Sequence, residues 1–328
     1  MLAQILLLVA GLILLVKGGE LFVTAAVRMA ELFRMPRVVI GTTLVSLATT
    51  MPELVVSLMA GGKGESGLAV GNAIGSCICN ISLILGITAT LRQIDVHPRS
   101  LTAPILAMFG FGVLLFLLTL DLRLSRWQGI ILVAGGFGYF VYDFLRHTRG
   151  MPPKGAVDAR AVEKVIAGRF PWFHGTAGSV VQFLIGAGIV VVGSRLLVGA
   201  AVTLAGSLGI PSILIGLTIV AVGTSLPELI TAITSTRTNV SDLAIGNILG
   251  ANIANLSFIV GVAAIMSDVT MTRPTQVVNF TAMLGIFSLL LWMLLNDRKV
   301  SRMEGVVLLV SYSVYLCALV FLAAGLKR

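Results

Sequence analysis

Ten long apolar stretches, separated by charges and turn residues, decide what this chain can fold into. They cover residues 2–29, 37–62, 67–91, 101–120, 126–146, 177–206, 211–236, 240–267, 275–296 and 302–326. A membrane helix needs roughly 20 mostly apolar residues, so every stretch is long enough to cross a bilayer. Composition agrees. Of 328 residues, 57% are hydrophobic and 11% charged, against about 25% charged in an average soluble domain. Too few charges remain to cover a water-soluble surface. Low charge and only three cysteines (Cys77, Cys79, Cys317) also exclude disordered and disulfide-framework classes. The reading is an all-α membrane protein with ten transmembrane helices. No basic residue precedes the first apolar run, so that run is a span and not a secretory signal. The 36 glycines suit helices that pack closely in lipid.

Lys and Arg accumulate in cytoplasmic loops. With the N-terminus outside, the inner loops hold 15 of them: Arg28, Arg34, Arg37, Arg92, Arg99, Arg146, Arg149, Lys154, Arg160, Lys164, Arg169, Arg237, Arg298, Lys299 and Arg302. The outer segments hold six: Lys63, Arg123, Arg126, Arg273, Lys327 and Arg328. This bias predicts both termini outside. It also predicts a cytoplasmic linker over 149–175, between a first half (1–148) and a second (176–328). The net charge of +9 then faces an anionic leaflet, and no nucleic-acid partner is needed to explain it.

Residues 41–90 align with 216–265 without a gap, at an offset of 175, with 19 of 50 positions identical. Pro36 matches Pro211, and KGGELFVTAAV (17–27) echoes VGSRLLVGAAV (192–202). Five spans separate equivalent points. Five is odd, so the second copy enters the membrane upside down. Inverted repeats are a transporter design with sites near the midplane. A duplication kept only for packing would retain apolar and glycine positions, not Glu, Asn and Thr at lipid depth.

Glu53 and its repeat partner Glu228 lie inside spans 37–62 and 211–236. A carboxylate at the helix centre costs about 2.5–3.5 kcal/mol on insertion scales, and no Lys, Arg or His lies at either depth. Lys17, with Glu20 nearby, and Arg195 are the bases within spans. Two readings stand for the glutamates: a bound cation neutralises them, or both are protonated and hydrogen-bonded to neighbouring helices. Thr49 and Thr50 precede Glu53 by four and three residues, on its face of a helix. Thr224 and Ser225 repeat this before Glu228. Pro52 and Pro227 remove a backbone hydrogen bond, freeing carbonyls near 48 and 223. Freed carbonyls are tolerated in lipid only when buried or lining a cavity. Carboxylate, hydroxyl and carbonyl oxygens make an all-oxygen set suited to Ca²⁺ or Na⁺. Soft metals want Cys or His, yet His97, His147 and His174 fall in expected loops, and Cys77 and Cys79 read as packing residues. In spans 67–91 and 240–267, Asn72, Ser76 and Asn80 form one polar stripe, with Asn247, Ala251 and Asn255 as equivalents. These amides either bond across helices or offer neutral oxygens to a cation. Gly71, Gly75, Gly246 and Gly250 leave room for close approach.

The paired segments ATTMPEL with GNAIGSCICN, and GTSLPEL with GNILGANIAN, resemble the two α-repeats of the cation/calcium exchanger superfamily, most closely its prokaryotic Na⁺/Ca²⁺ exchanger branch. The motifs cover about 100 residues. The resemblance implies the Na⁺/Ca²⁺ exchanger fold, two inverted five-helix repeats, in a plasma (inner) membrane. It implies alternating-access antiport in which Na⁺ entry drives Ca²⁺ out. Glu53 and Glu228 would bind both ions. Thr49, Thr50, Ser76 and Asn80 would complete one half, and Thr224, Ser225 and Asn255 the other, with backbone carbonyls of Ser46 and Ala221 as Na⁺ ligands. The first and sixth helices would slide as a gating pair. The sequence departs from the pattern at Cys77 (usually Asn), Ala251 (usually Ser) and Asn255 (Asp in many relatives), which bears on stoichiometry and K⁺ dependence. Thr-Met-Pro-Glu and Ser-Leu-Pro-Glu replace the Asn-Ala-x-Glu style of the Ca²⁺/H⁺ branch, favouring Na⁺ as counter-ion. A Ca²⁺/H⁺ exchanger using the same glutamates is the alternative, ahead of a channel. No nucleophile–base pair, GxGxxG or P-loop supports an enzyme. No cofactor and no obligate protein partner is expected, only the two ions and lipid.

Overall fold

The computed structural model describes residues 2–33, 35–62, 66–95, 98–148, 175–207, 221–271, 273–297 and 299–325. The expected linker, but for Gly175, and the first ten residues of the span expected at 211–236 lie outside the described residues.

Helix α1 is Leu2–Leu32. Helix α2, Arg37–Thr49, carries a π-turn at Gly41–Val45. Helix α3 is Met51–Gly62. Helix α4 joins Ser66–Ile78, a π-turn at Cys79–Leu85, and Gly86–Leu91. Strand β1 (Ile94–Asp95), α5 (Pro98–Leu118), β2 (Arg123–Leu124) and α6 (Arg126–Thr148) follow. The second half has α7 (Gly175–Ser207), the short α8 (Ala221–Thr224) and α9 (Leu226–Arg237). Helix α10 joins Ser241–Ala254, a π-turn at Asn255–Ile259, and Val260–Met266. Strand β3 (Val269–Thr270), α11 (Arg273–Asp297), β4 (Lys299–Val300) and α12 (Arg302–Gly325) complete the chain.

Eight described helices are long and apolar enough to cross a membrane, and their ends fall within a few residues of the expected spans. Burial is inverted relative to a soluble protein. Leu6, Leu106, Phe137, Leu184, Trp292 and Phe321 are exposed, while Thr42, Ser46, Asn80, Asn252 and Glu228 are buried. This is an all-α membrane protein.

The span expected at 37–62 is not one helix. It stops at Thr49 and restarts at Met51. Pro52 has no N–H for the carbonyl four residues back, so the helix restarts with proline in its first turn, where that loss is tolerated. His147, expected in a loop, falls instead in the last turn of α6.

Backbone contacts divide the chain into two compact units, Met1–Thr49 with Tyr142–Asn247, and Thr50–Val141 with Ile248–Arg328. In the first unit α1 and α7 run antiparallel along most of their length. A Cβ on Gly11 would stand 2.9 Å from the Leu197 nitrogen, and one on Gly186 would stand 2.7 Å from the Phe22 nitrogen. Gly18 meets Ile189 and Val190, as Gly193 meets Leu14 and Leu15. These contacts exchange under the offset of 175, so the repeat is written into the packing. Glycine is required because backbone touches backbone, and van der Waals fit of this kind is what holds helices together in lipid.

In the second unit, strands pair antiparallel between loops of opposite repeats: Ile94 with Val300, and Leu124 with Val269. Under the offset of 175 the first pairing maps onto Val269 with Ser125, one residue from the observed partner, so the two ribbons are repeat equivalents to within one position. The loop after α4 therefore lies beside the loop before α12, as the count of spans requires. Beside each ribbon two helices cross at glycines, Gly86 on Gly305 and Gly129 on Gly261.

Candidate functional site

In the first unit, Glu228 is fully buried in the first turn of α9. The helix begins after Ser225, whose φ of −90° and ψ of 11° leave helical geometry, and Pro227 follows. The carbonyl that Pro227 cannot serve belongs to Gly223, and the Ser194 hydroxyl donates to it at 2.9 Å. Thr224 and Ser225 are buried on either side of the break. Helix α9 packs on α1, α7 and the Ser46–Thr49 turn of α2. There the Thr49 hydroxyl donates to Asn247 Oδ1 at 3.1 Å. So Asn247 bonds across helices. The Ser46 hydroxyl bonds back to the Thr42 carbonyl at 2.7 Å, and Ala221 opens α8. Gly246 gives the expected close approach, its missing Cβ lying against the Val38 carbonyl of α2.

In the second unit, Glu53 is fully buried in the first turn of α3. The Leu54 amide bonds to the Thr50 carbonyl at 3.0 Å. Helix α3 packs on α4 and on the Asn255–Met266 part of α10. Thr50, Ser76, Asn80 and Asn255 are buried, and Asn72 is half-buried. At Gly71 and Gly75, unlike Gly246, a Cβ would meet no atom of a described residue within 4 Å. Because α2 ends at Thr49 and α3 begins at Met51, the spacing of four between Thr49 and Glu53 does not run through one unbroken helix. Thr49 ends α2 beside Asn247, and Thr50 precedes Glu53 by a turn.

Both π-turns of the long helices include the last stripe asparagine, Asn80 in Cys79–Leu85 and Asn255 in Asn255–Ile259, and Asn255–Ile259 is the repeat equivalent of 80–84. A π-turn widens the helix by a residue and is common at functional sites. A hydroxyl within each π-turn serves a carbonyl ahead of it, Ser82 donating to the Ile78 carbonyl at 2.5 Å and Ser257 to the Ile253 carbonyl at 2.6 Å. Among the described residues no three His, Cys, Asp or Glu side chains converge. Each unit thus offers one buried glutamate among hydroxyl, amide and carbonyl oxygens, the chemistry of a hard cation.

A match to the sodium/calcium exchanger protein family extends over residues 3–145 and 178–321. The chain belongs to this family. Among curated relatives, the inner membrane protein YrbG of Escherichia coli is 34% identical, with 98% of each chain covered. The putative antiporter CaxA of Alkalimonas amylolytica is 33% identical over 96% of this chain and 98% of its own. A solved structure of the sodium-calcium exchanger NCX_Mj superposes with a TM-score of 0.81 at 29% identity, covering 96% of this chain and 98% of that one. The exchanger fold is therefore shared along nearly the whole chain, both repeats included.

Three residues escaped the sequence reading. Asn252 is fully buried and hydrogen-bonded to Asn80. Its signal was the third letter of GANIAN, visible only as the residue that Cys77 replaces in the first copy. Ser194 had no signal, because nothing in sequence ties it to Gly223. Asp143 is buried in α6 and accepts from the Thr42 hydroxyl at 2.9 Å. An aspartate within span 126–146 was readable as an in-span carboxylate.

Proposed function

We propose that the chain is a secondary active cation antiporter that exchanges Na⁺ for Ca²⁺ by alternating access, with Glu53 and Glu228 as its ion-binding carboxylates. One observation carries this reading. Two glutamates equivalent under the repeat are both fully buried, each in the first turn of a helix that restarts after a break.

Broken helices supply ion ligands in many transporters, because the carbonyls at the C-terminal end of the first half-helix have lost their intrahelical partners. The Ser46 carbonyl near the end of α2, which also accepts from the Thr49 hydroxyl at 3.3 Å, and the Ala221 carbonyl of α8 lie close to these breaks. Thr49, Thr50, Thr224, Ser225, Ser76, Asn80, Asn255, Asn72 and Asn247 add neutral oxygens. A carboxylate without countercharge is costly in a low-dielectric interior. Ca²⁺ or Na⁺ relieves the cost, and competition for the same oxygens makes them exclude one another. If several Na⁺ replace one Ca²⁺, the cycle moves net charge and responds to membrane potential. The protein works in the inner membrane, with both termini outside and the segment 149–175 in the cytoplasm. Its partners are the two ions and lipid.

Ca²⁺ uptake into Na⁺-loaded proteoliposomes tests the reading. Uptake rises with an outward Na⁺ gradient and ignores pH. Uptake that follows pH and ignores Na⁺ assigns the Ca²⁺/H⁺ alternative, and uptake without any counter-ion overturns exchange. Glu53→Gln and Glu228→Gln each abolish flux while leaving the purified protein monodisperse. Flux retained in either variant makes that glutamate structural.

A further inference from the structure

Cys77 and Asn252 are repeat equivalents, and in the second unit they lie against each other. Asn252 Nδ2 donates to the Cys77 carbonyl at 3.4 Å, and the Cys77 thiol approaches the Asn252 carbonyl at 3.7 Å. A backbone carbonyl only accepts, so the Asn252 amide nitrogen must face Cys77 and the Met108 sulfur at 3.5 Å. Its Oδ1 must then face Asn80, which presents its own nitrogen at 3.0 Å. With its nitrogen held by Asn252, Asn80 is left with Oδ1 outside the pair. This atom is buried, meets no hydrogen-bond partner among the described residues, and cannot exchange places with Nδ2 without breaking the bond to Asn252.

The other half is built differently. Asn255, the equivalent of Asn80, lies beside Cys77. A thiol has no amide oxygen to grip the Asn255 nitrogen. The thiol is a weak partner that can face either end of the amide, and neither amide atom of Asn255 makes a hydrogen bond of normal geometry among the described residues.

We propose that Asn252 is a positioning residue that locks Asn80 with its oxygen presented to the transported cation, and that Cys77 leaves the repeat-equivalent Asn255 free to rotate. This rests on the exchanger reading above. The asymmetry lies in one pair of residues, so it can be moved. In the native chain Asn80→Ala weakens Ca²⁺ binding about tenfold, the loss expected for one fixed ligand, and Asn255→Ala weakens it two- to threefold or less. In the exchanged chain Cys77→Asn/Asn252→Cys the lock passes to Asn255. There the order reverses, with Asn255→Ala the costlier change.

The test is Ca²⁺ titration of the purified full chain in detergent. It compares Asn80→Ala and Asn255→Ala in three backgrounds: native, exchanged, and Cys77→Asn alone. If the exchanged chain does not fold, Cys77→Asn alone decides. It keeps Asn252 and makes the Asn255→Ala penalty rise to match that of Asn80→Ala. Penalties that stay the same in every background overturn the proposal, since a purely structural Asn252 would change stability and not the ranking of two ligands. Glu53→Gln separates the two failures. Ca²⁺ binding that Glu53→Gln removes keeps the exchanger reading even when the penalties do not move. A native chain that binds neither Ca²⁺ nor Na⁺ overturns both.

Discussion

The α1–α7 pair and the centre of the second unit solve the same problem with opposite chemistry. Between α1 and α7 the contact is mostly apolar, with buried Gln182 of α7 donating to the Leu21 carbonyl at 3.3 Å and accepting from Arg28 at 3.1 Å. It is made by Gly11, Gly18, Gly186 and Gly193 against backbone, and by an apolar cluster that includes Phe22, Ala25, Ala26 and Phe183. The rings of Phe22 and Phe183 lie 4.6 Å apart. The centre of the second unit is held by amides, Asn80 to Asn252 and Asn252 to Cys77, between two π-turns. Lipid offers no hydrophobic drive for helix association, so the glycine seam depends mainly on shape and the polar centre mainly on direction. Substitutions that attack shape or direction separately will test this contrast.

The largest effect belongs to shape. Gly186→Leu places a side chain where a Cβ alone would come within 2.7 Å of the Phe22 nitrogen. Backbone cannot give way as a flexible side chain can, so the cost exceeds the ~1–3 kcal/mol of ordinary overpacking. Little monodisperse protein should survive size-exclusion chromatography after mild heating. A normal yield would mean that the seam opens freely and the helices are not shape-locked.

Direction comes next. Thr42→Val removes the donor to the buried Asp143 carboxyl at 2.9 Å. A hydrogen bond to a buried acid contributes about 1.5–3 kcal/mol. Asp143→Asn alone should cost less, because an amide oxygen still accepts from Thr42. The double variant should cost about 1–2 kcal/mol less than the sum of the two, the size typical of directly bonded pairs. Additive losses in thermal melts would show that this hydrogen bond contributes nothing. Ser194→Ala ranks third. It strips the Gly223 carbonyl of its hydroxyl donor and should lower stability by about 1–2 kcal/mol, whereas Ser194→Thr should restore most of it.

The contrast also explains what could be read in the sequence. Spans, repeat and paired glutamates were legible because lipid forces apolar runs of fixed length and makes each in-span charge stand out. Pro52 and Pro227 announced disturbed helices, but not that α2 would end at Thr49 and α3 restart at Met51, since spacing arguments assume an unbroken helix. The glycine seam was half legible, as an echo between 17–27 and 192–202. Which glycine meets which backbone depends on how far two long helices overlap, and no local pattern records that. The amide centre was least legible. Asn252 counts only through its bond to Asn80, and Cys77 was noticed as a departure from a motif without the partner that gives the departure meaning.

The smallest effect should come from charge at the rim. Arg37 and Asp242 approach to 4.0 Å, with the Asp242 side chain 40% exposed. Both lie in the first unit, at the starts of α2 and α10. At that distance and exposure the attraction is mostly screened, and such pairs are worth about 0–1 kcal/mol. Asp242 also bonds to the Leu243 amide at 3.1 Å, near a helix N-terminus that favours negative charge. That contact survives when Arg37 is removed. Arg37→Gln should therefore shift the melting temperature by a degree or two at low salt, and by nothing measurable at 1 M salt, where the Debye length falls to about 3 Å. Asp242→Asn should cost slightly more than Arg37→Gln and keep part of its cost in salt, because it weakens the helix start as well as the pair. Equal, salt-independent losses would show that the pair contributes through packing, which would give the rim of the first unit the same shape-dependent character as its glycine seam.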